Sequence, residues 1–156
     1  MTVDEKTRVS ISQIEISVAV HSTENVDKVK KAVASLLPEP PSTSDFKVKL
    51  AKGHYGNPIR LLTLTISNSN RAYFIFKDLV SRLPEEMKKI TVNTLVDRMD
   101  SKGNLYLRFD KQSAVFRVLK IRDDDPIRTR IRFEKKVDMP SLRQEILRVI
   151  SNEELR

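Results

Sequence analysis

The chain predicts an α+β fold, a mainly antiparallel sheet with helices packed on one face. Period-two alternation of apolar and polar residues recurs along the chain. Stretches with apolar residues at helical spacing separate these runs. Between the two kinds of segment stand short clusters of Asn, Asp, Ser, Gly and Pro, the residues that make turns and caps.

The elements follow in order. Ile14, Ile16, Val18 and Val20 alternate with Glu15, Ser17, Ala19 and His21, a first strand. Val9 and Ile11 fall on the opposite phase, so the strand bulges near Ser12 or begins after it. Ser22 or Thr23 is expected to cap a helix whose stripe is Val26, Val29, Val33, Leu36 and Leu37. The prolines of the 38–44 stretch make an extended connection. Phe46, Val48 and Leu50 alternate with Lys47 and Lys49, a second strand. A turn over 52–58 leads into a third strand, 59–66, with Leu on both faces.

The 71–83 stretch reads as a helix facing inward through Ala72, Ile75, Phe76, Leu79 and Leu83. Pro84 ends it and opens another. After a turn at 100–104, Leu105, Leu107 and Phe109 alternate with Tyr106 and Arg108. Asp110 is expected to cap a helix over 111–120. Asp123, Asp124, Asp125 and Pro126 break the chain before a last strand, 127–135. Ser141 is expected to cap a C-terminal helix facing inward through Leu142, Ile146, Val149 and Ile150, with Glu145 and Arg148 off that face.

Length and composition narrow the class. The 156 residues fit a single domain, 1–156, with residues 1–8 loosely attached. No apolar run approaches the ~20 residues of a membrane-spanning helix. The polar start is not a signal peptide, and no membrane partner is expected. With no cysteine, disulfides, iron–sulfur clusters and thiolate zinc sites are excluded, which fits a reducing cytoplasm. Two histidines make a poor zinc set, and three glycines write neither a dinucleotide fingerprint nor a P-loop. No cofactor, metal or catalytic residue is therefore expected. The aspartates at 123–125 read as a solvated turn rather than a Mg²⁺ site.

Charge carries the functional reading. Lys plus Arg outnumber Asp plus Glu by 29 to 21, a net charge of +8. On the last strand Arg128, Arg130 and Arg132 face opposite to Ile127, Thr129, Ile131 and Phe133, about 6.8 Å apart. Guanidinium groups at that spacing can track a phosphate backbone; the alternative is an edge strand that uses charge to block aggregation. If helices cover one face, the open one carries these arginines with Lys47, Lys49, Arg108 and Tyr106, a nucleic-acid platform. Carboxylate pairing of Arg130 and Arg132 would count against it. His54 and Tyr55 project from the glycine-bracketed turn, either as an RNA-touching tip or as a hairpin turn with Tyr packed on the domain edge.

Three segments carry a resemblance. They are Val20-His21-Ser22-Thr23-Glu24, Gly53-His54-Tyr55-Gly56-Asn57-Pro58-Ile59, and Gly103-Asn104-Leu105-Tyr106-Leu107-Arg108-Phe109-Asp110-Lys111-Gln112. In this order, with Asp125-Pro126-Ile127-Arg128, they resemble a family of small archaeal RNA-binding proteins often labelled exosome subunits. The resemblance implies a fold like ribosomal protein L-five, RNA as partner, and His54, Tyr55, Arg108, Lys111 and Arg128 as candidate contacts. The expectation is a non-enzymatic RNA-binding protein tied to ribosomal RNA or RNA processing, as a homodimer or within a processing complex. The alternative is a protein-interaction or dimerisation module.

Overall fold

In the computed structural model, which describes residues 9–41, 45–53 and 55–154, strands and helices alternate along the chain. They are β1 (Ile11–His21), α1 (Val26–Ser35), β2 (Lys47–Lys52), β3 (Pro58–Ile66), α2 (Ser69–Arg82), α3 (Glu85–Asn93), β4 (Leu105–Phe109), α4 (Lys111–Val115), β5 (Ile127–Phe133) and α5 (Met139–Glu154). The strands form one five-stranded antiparallel sheet in the order β2-β3-β1-β5-β4, so the fold is α+β. Residues 1–8 and His54 lie outside the described residues.

On β1, β4 and β5 the alternation read from the sequence is the alternation of burial; on β2 it is not, because Val48 and Leu50 are exposed like Lys47 and Lys49. On β5, Ile127, Thr129, Ile131 and Phe133 are buried while Arg128 and Arg132 are exposed and Arg130 is half-buried. On β1 the phase slips once: Ser12 and Gln13 are both half-buried between buried Ile11 and Ile14. That slip reconciles Val9 and Ile11 with the rest of the strand.

The chain divides into two compact units. One comprises residues 1–14, 66–106 and 131–156. In it α5 packs against α2 and α3. Asn68 caps α2, accepting from the Arg71 amide, and Ala72, Ile75, Phe76 and Leu79 are buried as the stripe predicts. The C-terminal helix differs from expectation. Its cap is Asp138, which accepts from Ser141 N at 2.8 Å and Ser141 Oγ at 3.0 Å. Pro140 suits a first turn, so the helix begins before Ser141. Glu145, expected off the apolar face, is fully buried. The Tyr73 hydroxyl donates to it and Arg148 pairs with it, which makes burial of the carboxylate tolerable.

The other unit comprises residues 15–65 and 107–130. In it α1 packs on α4. The cap of α1 is Asn25, accepting from Lys28 N at 3.1 Å, not Ser22 or Thr23. Those two residues are used in a turn, closed where Glu24 N donates to His21 O at 2.9 Å. Asp110 caps α4 as expected, accepting from Ser113 N and Oγ. The helix stops at Val115 rather than 120, because Arg117 takes φ +61° and the chain doubles back along β4. Asp110 N then donates to Lys120 O, and Arg122 N to Arg108 O.

Thr129 is fully buried on β5, and its hydroxyl has no hydrogen-bond partner among the described residues. Replacing the hydroxyl by a methyl removes an unsatisfied polar group without changing shape. Thr129→Val is expected to leave stability unchanged or raise it by up to about 1 kcal/mol, read by urea denaturation.

Candidate nucleic-acid interface

β2 and β3 pair with Lys47 opposite Thr63, and Lys49 opposite Leu61. Residues directly opposite in an antiparallel pair share a face. Leu62 and Leu64 are buried on the other side, so both lysines stand on the outer face, and both are exposed. The outward positions of the neighbouring strands in this unit are Glu15, Ser17 and Ala19 on β1, Arg128 and Arg130 on β5, and Arg108 on β4. The strand phases thus place Lys47, Lys49, Arg108, Arg128 and Arg130 on the outer face.

The arginines are not equivalent. Arg128 is exposed and Arg108 half-buried. Arg130 pairs with Glu15 across neighbouring strands at 3.1 Å, both side chains mostly covered. Its charge is answered within the protein, which removes Arg130 from the expected phosphate-tracking row. In the other unit, Arg132 is exposed and in no carboxylate pair among the described residues. There too, Tyr106 is half-buried and its hydroxyl donates to Asp100 Oδ2 at 3.0 Å. The Asn104 amide, the Asn104 side chain and this hydroxyl hold the Asp100 carboxyl down to about 2. Tyr106 is thereby tethered at its polar end.

Lys111 requires a correction. It is buried, and its ammonium donates to Ala19 O at 2.8 Å and Glu24 Oε1 at 3.1 Å, and pairs with Asp125 Oδ2 at 2.9 Å. An ammonium has three N–H donors, and three acceptor groups, the Ala19 carbonyl and the Glu24 and Asp125 carboxylates, surround this one. Lys111 is a structural cation, not a surface contact for phosphate. His21 Nε2 joins the cluster at 3.0 Å from Asp125 Oδ1. Burial pushes the Asp125 carboxyl up, but hydrogen bonds from Lys111 and His21 and their charges outweigh it and hold it below the usual range. His21, Glu24 and Asp125 also converge closely enough to ligate a metal, yet the Lys111 ammonium already bonds to both carboxylates. The 123–125 turn is exposed as expected, with Asp124 near Arg122 and Asp125 paired with Lys111. Sequence reasoning missed Glu24 and Asp125 as partners because they lie far from Lys111 along the chain.

The glycine-bracketed turn is a hairpin closing β2 onto β3. Gly53 N donates to Asn57 O at 2.7 Å and Gly56 N to Gly53 O at 2.9 Å. Gly56 has φ +79°, a conformation side chains resist. Tyr55 is 87% exposed at its tip, not packed on an edge.

The protein is thus an α+β domain with exposed cations on the outer face of its sheet, while Lys111 and Arg130 are paired with carboxylates. Residues 13–133 match a family described as RNA binding, and the chain belongs to that family. It is 33% identical over 122 residues to RNA-binding protein PAB1135 of Pyrococcus abyssi, covering 76% of this chain and 79% of that one. It is 30% identical over 148 residues to the uncharacterized protein MJ0213 of Methanocaldococcus jannaschii, covering 92% and 97%. The crystal structure of AF2318 from Archaeoglobus fulgidus superimposes with a TM-score of 0.75 at 30% identity, covering 89% of this chain and 99% of that one. Among the described residues no helix is long and apolar enough to cross a membrane.

Lys111→Met keeps the volume but takes the ammonium from Glu24 and Asp125, leaving them their His21 contacts, and is expected to cost about 1–3 kcal/mol in urea denaturation. The Asp125 carboxyl is depressed in the folded state, so its contribution is present above its ordinary value of 3.8 and is lost as pH falls through the folded value. Lys111→Met should flatten that acid-side loss, read from stability against pH below about 4.

Proposed function

We propose that this protein binds RNA without catalysing a reaction on it, through the outer sheet face of the 15–65 and 107–130 unit. The observation that carries the reading is the exposure of Lys47, Lys49 and Arg128 on that one face. Cations on an open sheet face neutralise phosphates and release condensed counterions, so affinity falls steeply with salt. Arg108 lies on the same face, and Tyr55 at the hairpin tip offers a ring for stacking on an exposed base. Arg132 and Tyr106 are contacts carried by the other unit. Backbone contacts of this kind position RNA and carry little sequence information. The family description and the name of the Pyrococcus relative support RNA as the partner. Association with ribosomal RNA or an exosome-type processing complex is the cellular setting this reading extends to, and co-purification of RNA and protein from cell extract tests it.

The direct test is fluorescence anisotropy with structured and single-stranded RNA at two salt concentrations. Binding should weaken steeply with salt, and the double variant Lys47→Ala, Lys49→Ala should reduce the log–log slope by about 0.7–0.9 for each phosphate it no longer neutralises. Glu15→Gln releases Arg130 from its pair and should strengthen binding. No binding to either RNA at low salt would refute the proposal.

A further inference from the structure

The cations of this face are not spread over it. On one margin stand Lys47 and Lys49, on β2. On the other stand Arg128 of β5 and Arg108 of β4. Between them lie β3 and β1. Three to four inter-strand spacings put the margins about 14–19 Å apart.

The floor between the margins is uncharged and shallow. Its outward residues are Ile59, Leu61, Thr63 and Thr65 of β3 and Ser17 and Ala19 of β1, with His21 at the end of β1. The one carboxylate on β1, Glu15, is neutralised by Arg130. Among the described residues, the outward positions of these strands in this unit carry no phenyl, phenol or indole ring; the one imidazole, His21 at the end of β1, is bonded to Asp125.

A single strand following a sheet face needs one row of cations and rings for its bases. Two cationic margins with a hydroxyl-bearing floor and no row of rings instead match two phosphate backbones with a shallow groove between them. A-form RNA offers that arrangement at its minor groove, which is wide and shallow and displays 2′-hydroxyls. Thr63 and Ser17 can exchange hydrogen bonds with such hydroxyls. Resting on the RNA-binding reading, we infer that the substrate class is double-helical RNA, straddled at its minor groove by the Lys47/Lys49 and Arg128/Arg108 margins and recognised by shape.

The test uses the full chain and an RNA duplex of about 16 base pairs, the span of a known duplex-binding module. Each strand alone, chosen not to self-pair, and the DNA duplex of the same sequence are titrated beside it. The RNA duplex should bind at least about tenfold tighter than either strand, because a strand reaches one margin only. Lys47→Ala with Lys49→Ala, and separately Arg128→Ala, should each weaken duplex binding more than strand binding. These side chains are exposed, and thermal melting of each variant confirms that the fold is kept. Equal or tighter binding of the strands overturns the duplex inference while RNA binding stands. A DNA duplex that binds as tightly as the RNA duplex overturns recognition of the A-form groove. Failure of every RNA to bind overturns both readings.

Discussion

The Lys111 ammonium is the contact on which the 15–65 and 107–130 unit turns. It joins a β1 carbonyl, the Glu24 carboxylate just before α1 and the Asp125 carboxylate just before β5. Segments distant in sequence meet there, at the start of α4. A buried cation is costly unless its donors are all answered, and the answering groups must stay in place for the same reason. Asp125 holds φ +46°, a backbone conformation that non-glycine residues seldom adopt, and it does so while bonded to Lys111 and His21. Pro126 and β5 follow directly, so the cluster fixes where Ile127 enters the sheet and therefore which way Arg128 faces.

The same electrostatics explain how charge is divided. Lys111, Arg130 and Arg148 lie close to carboxylates and are covered, serving the fold. Lys47, Lys49 and Arg128 are exposed on the outer sheet face. Little of the net charge of +8 therefore has to be carried by the interior, and a surplus remains for a polyanion. On β5 buried Thr129 and Ile131 stand between the outward arginines and hold their positions, whereas on β2 Val48 between Lys47 and Lys49 is itself exposed. A hairpin kept tight by Gly53 and Gly56 presents Tyr55 beside the Lys47 and Lys49 strand.

Much of this was legible in the sequence, and for a physical reason. Side chains alternate with period two on a strand, so Ile127 to Phe133 announced both a buried face and an outward arginine row. Helical stripes announced α2 through Ala72, Ile75, Phe76 and Leu79, and Asp110 announced the start of α4 through local capping chemistry. These signals are local, and one sequence displays them. Tertiary structure decided the rest. Whether Arg130 faces phosphate or Glu15, whether Lys111 reaches solvent or Asp125, and whether Glu145 lies outside its helix stripe or beneath Tyr73 all depend on residues brought together from afar. The order β2-β3-β1-β5-β4, which sets two cationic margins apart across a neutral floor, is likewise a product of strand pairing, on which local periodicity is silent.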